Sequence, residues 1–442
     1  MAIKLSEHFT YGKLVRYVIP SIWMMIIMSI YYVVDGYFVS NYVGKIAFAA
    51  VNVLTPAIVI PSSVAFMLSA GGAAVVATTM GEGRRDDANR YFSMLLYVVI
   101  GFGAVMTLLS EWILPYFLHF MEADGDLFVA GMEYGWICLL GLIPFMLQVM
   151  LQALWSTAEK PQYGLYMTVA AGVTNLVLDY VFIVLWGWGI TGAAVASVLS
   201  QVLGGLLPLV YFYLPNSSAL RLVTTAIEWP IIMKAATNGF SEMLTSISAS
   251  ILGILYNLQL MSYIGADGVA AYGVMLYANG TFESIYFGYG MGASAIISYH
   301  FGARNTSELH NVLMKSLVLV GGGSLVMTAI AYTGAGWLTY YFVGYDAALW
   351  QMTKEAFRIY CLSFILAGMN GFASAFFTAL NNGRISAVIS MSRILIFQVG
   401  SVLVLPMLIG MDGIWWSVVI AEVATFFVAV WYWKANQSRY GY

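Results

Sequence analysis

Charge is what this sequence lacks most. Only 9% of its 442 residues are Asp, Glu, Lys or Arg, whereas 61% are hydrophobic. Soluble globular chains carry roughly 25% charged residues. An ordinary water-facing surface is therefore excluded, and the chain reads as an integral membrane protein. Cysteine is nearly absent as well. Cys138 and Cys361 each lie in an apolar run and form no C-x-x-C pair, which excludes a disulfide framework and a structural zinc site. Both read as small buried apolar residues. The four histidines, His8, His119, His300 and His310, are scattered. They assemble no nucleophile–base set and no hydrolytic metal cluster, so an enzyme is not expected. No G-x-x-x-x-G-K-[ST] loop is present, which argues against direct ATP hydrolysis. The string "GYGMGAS" at 288–294 sits inside an apolar run and reads as close helix packing by small residues. A net charge of −3 without a basic block leaves no footprint for nucleic acid.

Long apolar runs are what the chain has instead. A span needs about 20 residues at 1.5 Å rise each. Twelve such stretches are predicted, near 13–40, 48–80, 89–118, 127–157, 162–186, 190–213, 229–262, 268–300, 309–340, 347–380, 385–408 and 413–434. Several exceed the minimum, which implies tilt or extension beyond the hydrocarbon. Pro20, Pro56, Pro61, Pro144, Pro208 and Pro406 fall inside spans and predict kinks. The polar N-terminal stretch lacks a signal-peptide cleavage site and reads as a cytoplasmic lead-in.

Of the eighteen Lys and Arg, fifteen fall at the termini, the even-numbered loops and adjoining helix ends, Arg393 counted among them. Only Lys45, Lys354 and Arg358 fall on the other side. The bias puts both termini in the cytoplasm.

The two halves repeat. "YVGKIAFAAVNV" at 42–53 resembles "YIGADGVAAYGV" at 263–274, and "GITGAAVASVLSQV" at 189–202 resembles "GMDGIWWSVVIAEV" at 410–423, both at an offset of 221. Thr157-Ala158 against Thr378-Ala379 and Gly81 against Gly302 keep that register. Six spans therefore repeat six, in one orientation, about an axis along the membrane normal with a cleft between them. That plan favours a secondary transporter in which two bundles rock around a central site. The expected units are an N-lobe at 1–214, a cytoplasmic linker at 215–228 and a C-lobe at 229–442. A monomer is the simplest assembly, because the cleft lies within one chain.

Within this apolar background stand Asp35, Asp179, Glu242 and Glu283. A carboxylate in a span is costly and marks a functional site by default. Asn175/Asp179, Asn238/Glu242 and Asn279/Glu283 are i,i+4 pairs, which puts each amide on the helix face of its acid. Asp35, Asp179 and Ser197 all fall roughly 8–11 Å below the outer surface at 1.5 Å per residue. Two carboxylates, one amide and one hydroxyl thus converge in the outer half of the first bundle. Hard oxygens suit Na⁺; two close carboxylates in a low dielectric equally share a proton. The residues leave H⁺ and Na⁺ both open, with Asp35, Asn175 and Asp179 as ligands for a sodium ion.

The offset does not copy this set. It pairs Asp35 with Tyr256, Asp179 with Gly400 and Asn175 with Ile396, while Glu242 and Glu283 pair with Ser21 and Ser62. Two electrostatically different lobes separate a coupling ion from a cationic substrate. Aromatics make up 15% of the chain. Tyr31, Tyr32, Tyr37, Tyr286, Phe287 and Tyr289 lie near the acids in sequence and provide a lining for lipophilic cations.

"VVDGYFVSNYVG" at 33–44, "GGAAVVATTMGEGRRDDANR" at 71–90 and "NLVLDYVFIVLWGWGITGAAVASVLSQ" at 175–201, set in two six-span lobes, resemble the multidrug and toxic compound extrusion family, and within it the MepA-like bacterial branch. The resemblance covers nearly the whole chain. It implies an all-α, V-shaped pair of six-helix bundles in the bacterial cytoplasmic membrane. It also implies export of varied cationic aromatic drugs by antiport with H⁺ or Na⁺, with no further cofactor. The family's first-lobe cation site falls on Asp35, Asn175, Asp179 and Ser197. "NGFSEM" at 238–243 resembles the acid-bearing segment of the NorM-like branch, with Glu242 as the acid, but the tenth span carries Asn370 where that branch has an acid. This departure shifts the expected ion site to the first lobe. It leaves Glu242, Glu283, Asn238, Asn279, Tyr31, Tyr32 and Phe287 as substrate-binding candidates. A flippase for lipid-linked precursors shares the plan but needs a cationic cleft for pyrophosphate. A membrane-embedded transferase needs a buried nucleophile–base set, and a channel would not need two rocking repeats.

Overall fold

Twelve helical spans account for nearly all of the computed structural model, which describes residues 3–442. They are α1 (Tyr11–Val43), α2 (Lys45–Gly81), α3 (Arg85–Phe120), α4 (Asp126–Leu140 and Leu142–Thr157), α5 (Pro161–Leu185) and α6 (Gly189–Tyr213) in the first half. The second half holds α7 (Trp229–Tyr263), α8 (Ala266–Gly302), α9 (Thr306–Val343), α10 (Ala347–Ala379), α11 (Gly383–Ile409) and α12 (Asp412–Tyr440). No β-strand occurs among the described residues. The apolar runs fold this way because a backbone in hydrocarbon must satisfy its own hydrogen bonds, which a helix does within itself.

Punctuation follows the local chemistry. α4 bends by 54° at Gly141, with Pro144 just beyond the break. Pro208 opens the last piece of α6 after a break at Leu206. The connection between α1 and α2 turns at Gly44 (φ 120°), and its 221-residue equivalent, Gly265 (φ 83°), does the same between α7 and α8. Gly189 (φ 60°) and Gly410 (φ 67°) form a second matched pair. The left-handed backbone these turns use disfavours a side chain, so glycine is kept at both copies.

The buried residues divide into three principal groups, and that division gives the molecule its V shape. One core mixes both lobes, joining Leu68, Phe92 and Leu154 to Ala293, Phe376 and Ile389. A second contains only first-lobe residues, Val39 to Ala194. A third contains only second-lobe residues, Leu252 to Val418. The lobes therefore share a core in the half nearer the termini and part in the other half. α1 and α2 of the first lobe meet α7 and α8 of the second along this junction.

Both termini lie on the face where the lobes join. Residues 214–228 carry no helix and bind back to α3, with Arg221 N donating to Asn89 Oδ1 (2.9 Å) and Arg90 paired to Glu228 at 2.7 Å. The N-terminal segment does the equivalent on α9: Phe9 N donates to Glu308 Oε1 (2.8 Å), and Lys315 Nζ donates to Phe9 O (2.7 Å).

One reading of the sequence needs correction. Arg393 is not at a helix end with the loop cations. It stands in the body of α11, where it pairs with Glu422 of α12. A lone arginine in an apolar run looks like an interfacial anchor until its partner, 29 residues away, is seen.

Candidate functional site

Asp35 lies on the buried face of α1, four residues before the helix widens to i→i+5 bonding over Val39–Val43. Asp179 closes the regular part of α5, and the same widening follows at once over Tyr180–Leu185. Such wide turns concentrate at functional sites and supply local freedom within a helix. α5 packs on α1 and α6, which brings Asn175, Asp179 and Ser197 to Asp35.

All four side chains are withdrawn from solvent, Asp179 completely. Ser197 Oγ donates to Asp35 Oδ1 at 3.5 Å, a long bond. The Asp179 and Asn175 side chains adjoin the same carboxyl. Both carboxylate oxygens of Asp179 and the amide nitrogen of Asn175 are buried without any hydrogen-bond partner. A buried carboxylate with no donor is stable only if it carries a proton or meets a cation. Two carboxylates together strengthen that demand, because two adjacent anions repel in a low dielectric. The Asn175 carbonyl and Ser197 hydroxyl add neutral oxygens of the kind a hard cation accepts. Tyr31 neighbours both acids and leans on Tyr32, the rings 4.7 Å apart.

A separate cavity opens between the lobes, about 1390 Å³ together with its open mouth. Glu242, Asn279, Glu283, Tyr286, Phe287 and Arg393 lie on its wall with Phe66, Gln152 and Phe364. The two sets of acids are thus held apart: Asp35 and Asp179 in the first lobe, Glu242 and Glu283 at the cavity.

Three candidates stand elsewhere. The Asn238 amide does not turn to Glu242; it donates to Thr378 O (2.9 Å) and Asn381 Oδ1 (3.4 Å), fastening α7 to the end of α10. Tyr31 and Tyr32 flank the first-lobe carboxylates and are not on the cavity wall.

One functional-looking residue escaped the sequence reading. Glu422, with its side chain 4% exposed, accepts from Arg393 Nε (2.7 Å) and from Asn370 Nδ2 (2.7 Å). Its isolation in "WWSVVIAEVATFF" was a signal of the same kind as Asp179 in its own run. The Asn370 noted as departing from an acid is therefore bonded to one, supplied by α12.

The MatE family matches residues 20–181 and 242–403, once in each lobe. The multidrug export protein MepA of Staphylococcus saprophyticus is 21% identical over 415 residues, covering 92% of this chain and 90% of that protein. MepA of Staphylococcus aureus strain NCTC 8325 is 20% identical over 418 residues, covering 93% and 91%. Among solved structures, the outward-facing conformation of a multidrug resistance MATE family transporter of the MOP superfamily superposes with a TM-score of 0.92 at 21% identity, over 99% of this chain and 98% of that one. A MOP superfamily transporter from Pyrococcus furiosus, described as having a binding pocket of reverse polarity, superposes at 0.90 with 21% identity and the same coverage. These structures share the fold of this chain.

Proposed function

The chain belongs to the MatE family, and we propose that it exports lipophilic, cationic aromatic compounds across the bacterial cytoplasmic membrane in exchange for inward-moving H⁺ or Na⁺. Both termini then face the cytoplasm, in keeping with the Lys and Arg bias. Residues 1–214 and 229–442 act as two rocking units joined by 215–228, within one monomer.

The observation that carries the reading is the donor-free Asp179 carboxylate beside Asp35, buried in one lobe and separate from the acids of the cavity. The pair offers a place where a proton or sodium ion gains far more than it does in water. The cavity offers carboxylates and aromatic faces to an organic cation. Coupling needs no shared atoms. It needs ion and drug to favour opposite conformations.

In the conformation described, the lobes are closed on the terminal face and parted on the other. The ion reaches Asp35 and Asp179 from outside, and its arrival lets α1 and α5 adjust at their wide turns. The drug leaves outward, the lobes rock, and the ion is released inside.

Uptake of ethidium into inverted membrane vesicles under an imposed H⁺ or Na⁺ gradient tests this. Gradient-driven uptake is expected in the wild type and is lost at least tenfold in Asp35→Asn and Asp179→Asn at equal expression. Undiminished uptake in both variants would remove the pair from the mechanism. The gradient that drives the wild type identifies the ion.

A further inference from the structure

The cavity wall carries one permanent cation, Arg393, and two acids, Glu242 and Glu283, with a third acid, Glu422, buried behind it. Arg393 sits in the stretch Ser392–Gln398, where α11 widens as α1 and α5 do beside their carboxylates. Its Nε donates to Glu422 Oε1 at 2.7 Å, and the Glu422 carboxylate is fixed from its other oxygen by Asn370. Its outer edge is free: Nη2 stands 4.0 Å from Glu283 Oε1, beyond hydrogen-bond range. Glu283 is 57% exposed to the cavity and has no donor of its own among the described residues, and Glu242 shares the wall.

Arginine has five N–H donors in a planar fork, so a guanidinium held at Nε can still close on a second carboxylate. A movement of little more than 1 Å at Nη2 brings Glu283 into a charge-assisted hydrogen bond, for which about 2.7–2.9 Å is typical. A guanidinium in that place occupies the same carboxylate that an exported cation would use.

We infer that Arg393 is an internal competitor of the exported cation: its guanidinium, clamped by Glu422 and Asn370 within reach of Glu283, sets how tightly the cavity holds a cationic compound. The inference rests on the export reading above and adds a specificity-determining residue to it. While Nη2 stands off, Glu283 is open to substrate. When the fork swings to Glu283, bound cation is displaced. Glu283 is then an exchange point between a tethered cation and a mobile one, which keeps the site from binding any cation too tightly to release.

Removing Arg393 and Glu422 together leaves the net charge of the lobe unchanged, because the deleted pair is neutral. An altered affinity then reports on competition and not on net charge. The experiment is ethidium binding by fluorescence anisotropy to purified full-length protein in detergent. Arg393→Gln/Glu422→Gln is expected to bind ethidium at least fivefold more tightly than wild type. Adding Glu283→Gln to that double variant is expected to abolish the gain. A double variant that binds no more tightly than wild type overturns the inference, as does a gain that survives loss of Glu283. Should the double variant not fold, Arg393→Lys decides, since lysine keeps the charge beside Glu422 but lacks the planar fork that reaches Glu283. A gain in ethidium affinity of threefold or more supports the inference, and a smaller gain or none overturns it. Wild-type protein that binds no organic cation at all, ethidium or tetraphenylphosphonium, would instead defeat the export reading on which this stands.

Discussion

Gly71 of α2 and Gly239 of α7 cross backbone to backbone at the junction of the lobes. A Cβ on Gly71 would stand 2.0 Å from the Ala235 carbonyl oxygen, and one on Gly239 would stand 1.9 Å from that of Met67. The same economy recurs one contact away. A Cβ on Gly81 would meet Tyr299 O at 2.0 Å, and one on Gly302 would meet Thr78 O at 2.0 Å. Gly81 and Gly302 are a 221-residue pair, and so are Thr78 and Tyr299. The pseudo-two-fold axis therefore passes through this seam. Small residues let helices in a membrane approach this closely.

Alanine at Gly71 or Gly239 forces the backbones apart and props the terminal face open. Export is expected to fall at least tenfold at unchanged expression. A cysteine placed at Phe287, in a background lacking Cys138 and Cys361, should become reactive to an impermeant maleimide added from the side that carries the termini. Protection equal to that of the parent would show that the seam tolerates the methyl.

Ser197→Ala removes one long hydrogen bond to Asp35. One such bond contributes about 0.5–1.5 kcal/mol. With Na⁺ as the coupling ion, the concentration giving half-maximal transport should rise about two- to tenfold, because a ligand oxygen is lost; with H⁺ it should fall, because the hydroxyl donates to the carboxylate and favours its charged form. Ser197→Thr keeps the oxygen and should stay near wild type. Complete loss of transport in Ser197→Ala would mean that the hydroxyl is a required ligand and not an accessory one.

Glu308 gathers the N-terminal segment onto the second lobe. Its carboxylate accepts from Phe9 N (2.8 Å) and Asn311 Nδ2 (2.7 Å) and contacts His8 Nδ1 (2.6 Å), while Leu5 N donates to Glu159 Oε1 (2.8 Å) on the first lobe. Glu308→Ala leaves buried donors unpaired at about 1–3 kcal/mol each. Hydrogen exchange at Leu5 and Phe9 should accelerate, and the thermal midpoint should drop by several degrees. Unchanged protection of both amides would show that Leu5 and Phe9, through their own burial, hold the segment alone.

Asn238→Ala separates stability from binding. Because its amide serves Thr378 and Asn381 and not the cavity acids, the variant should melt earlier yet bind ethidium within twofold of wild type. A selective loss of binding would return Asn238 to the substrate site.

Much of this arrangement was readable along the chain. The twelve spans follow from apolar run length, and the observed helices differ from the expected limits by a few residues, chiefly where polar ends extend beyond the apolar core, as in α12 to Tyr440. The duplication was legible because turns with left-handed backbone keep their glycines: Gly44 with Gly265, and Gly189 with Gly410. Asp35, Asn175, Asp179 and Ser197 could be assembled by counting turns from a common surface, since one helical rise governs all three spans. Counting turns along single helices could not reveal where a side chain finds its partner. Asn238 shares a helix face with Glu242, yet a carbonyl on α10 claims its amide.

Composition and periodicity by themselves determined the solvent, the number of spans and the two-lobe plan, because the cost of exposing charge or backbone to lipid is paid locally, helix by helix. Only the tertiary structure decided which polar residues face one another. The Arg393–Glu422–Asn370 cluster draws on α11, α12 and α10, and the seam of Gly71 and Gly239 draws on opposite lobes. Electrostatic and steric fit depends on distances of a few ångströms across elements that sequence separation does not encode.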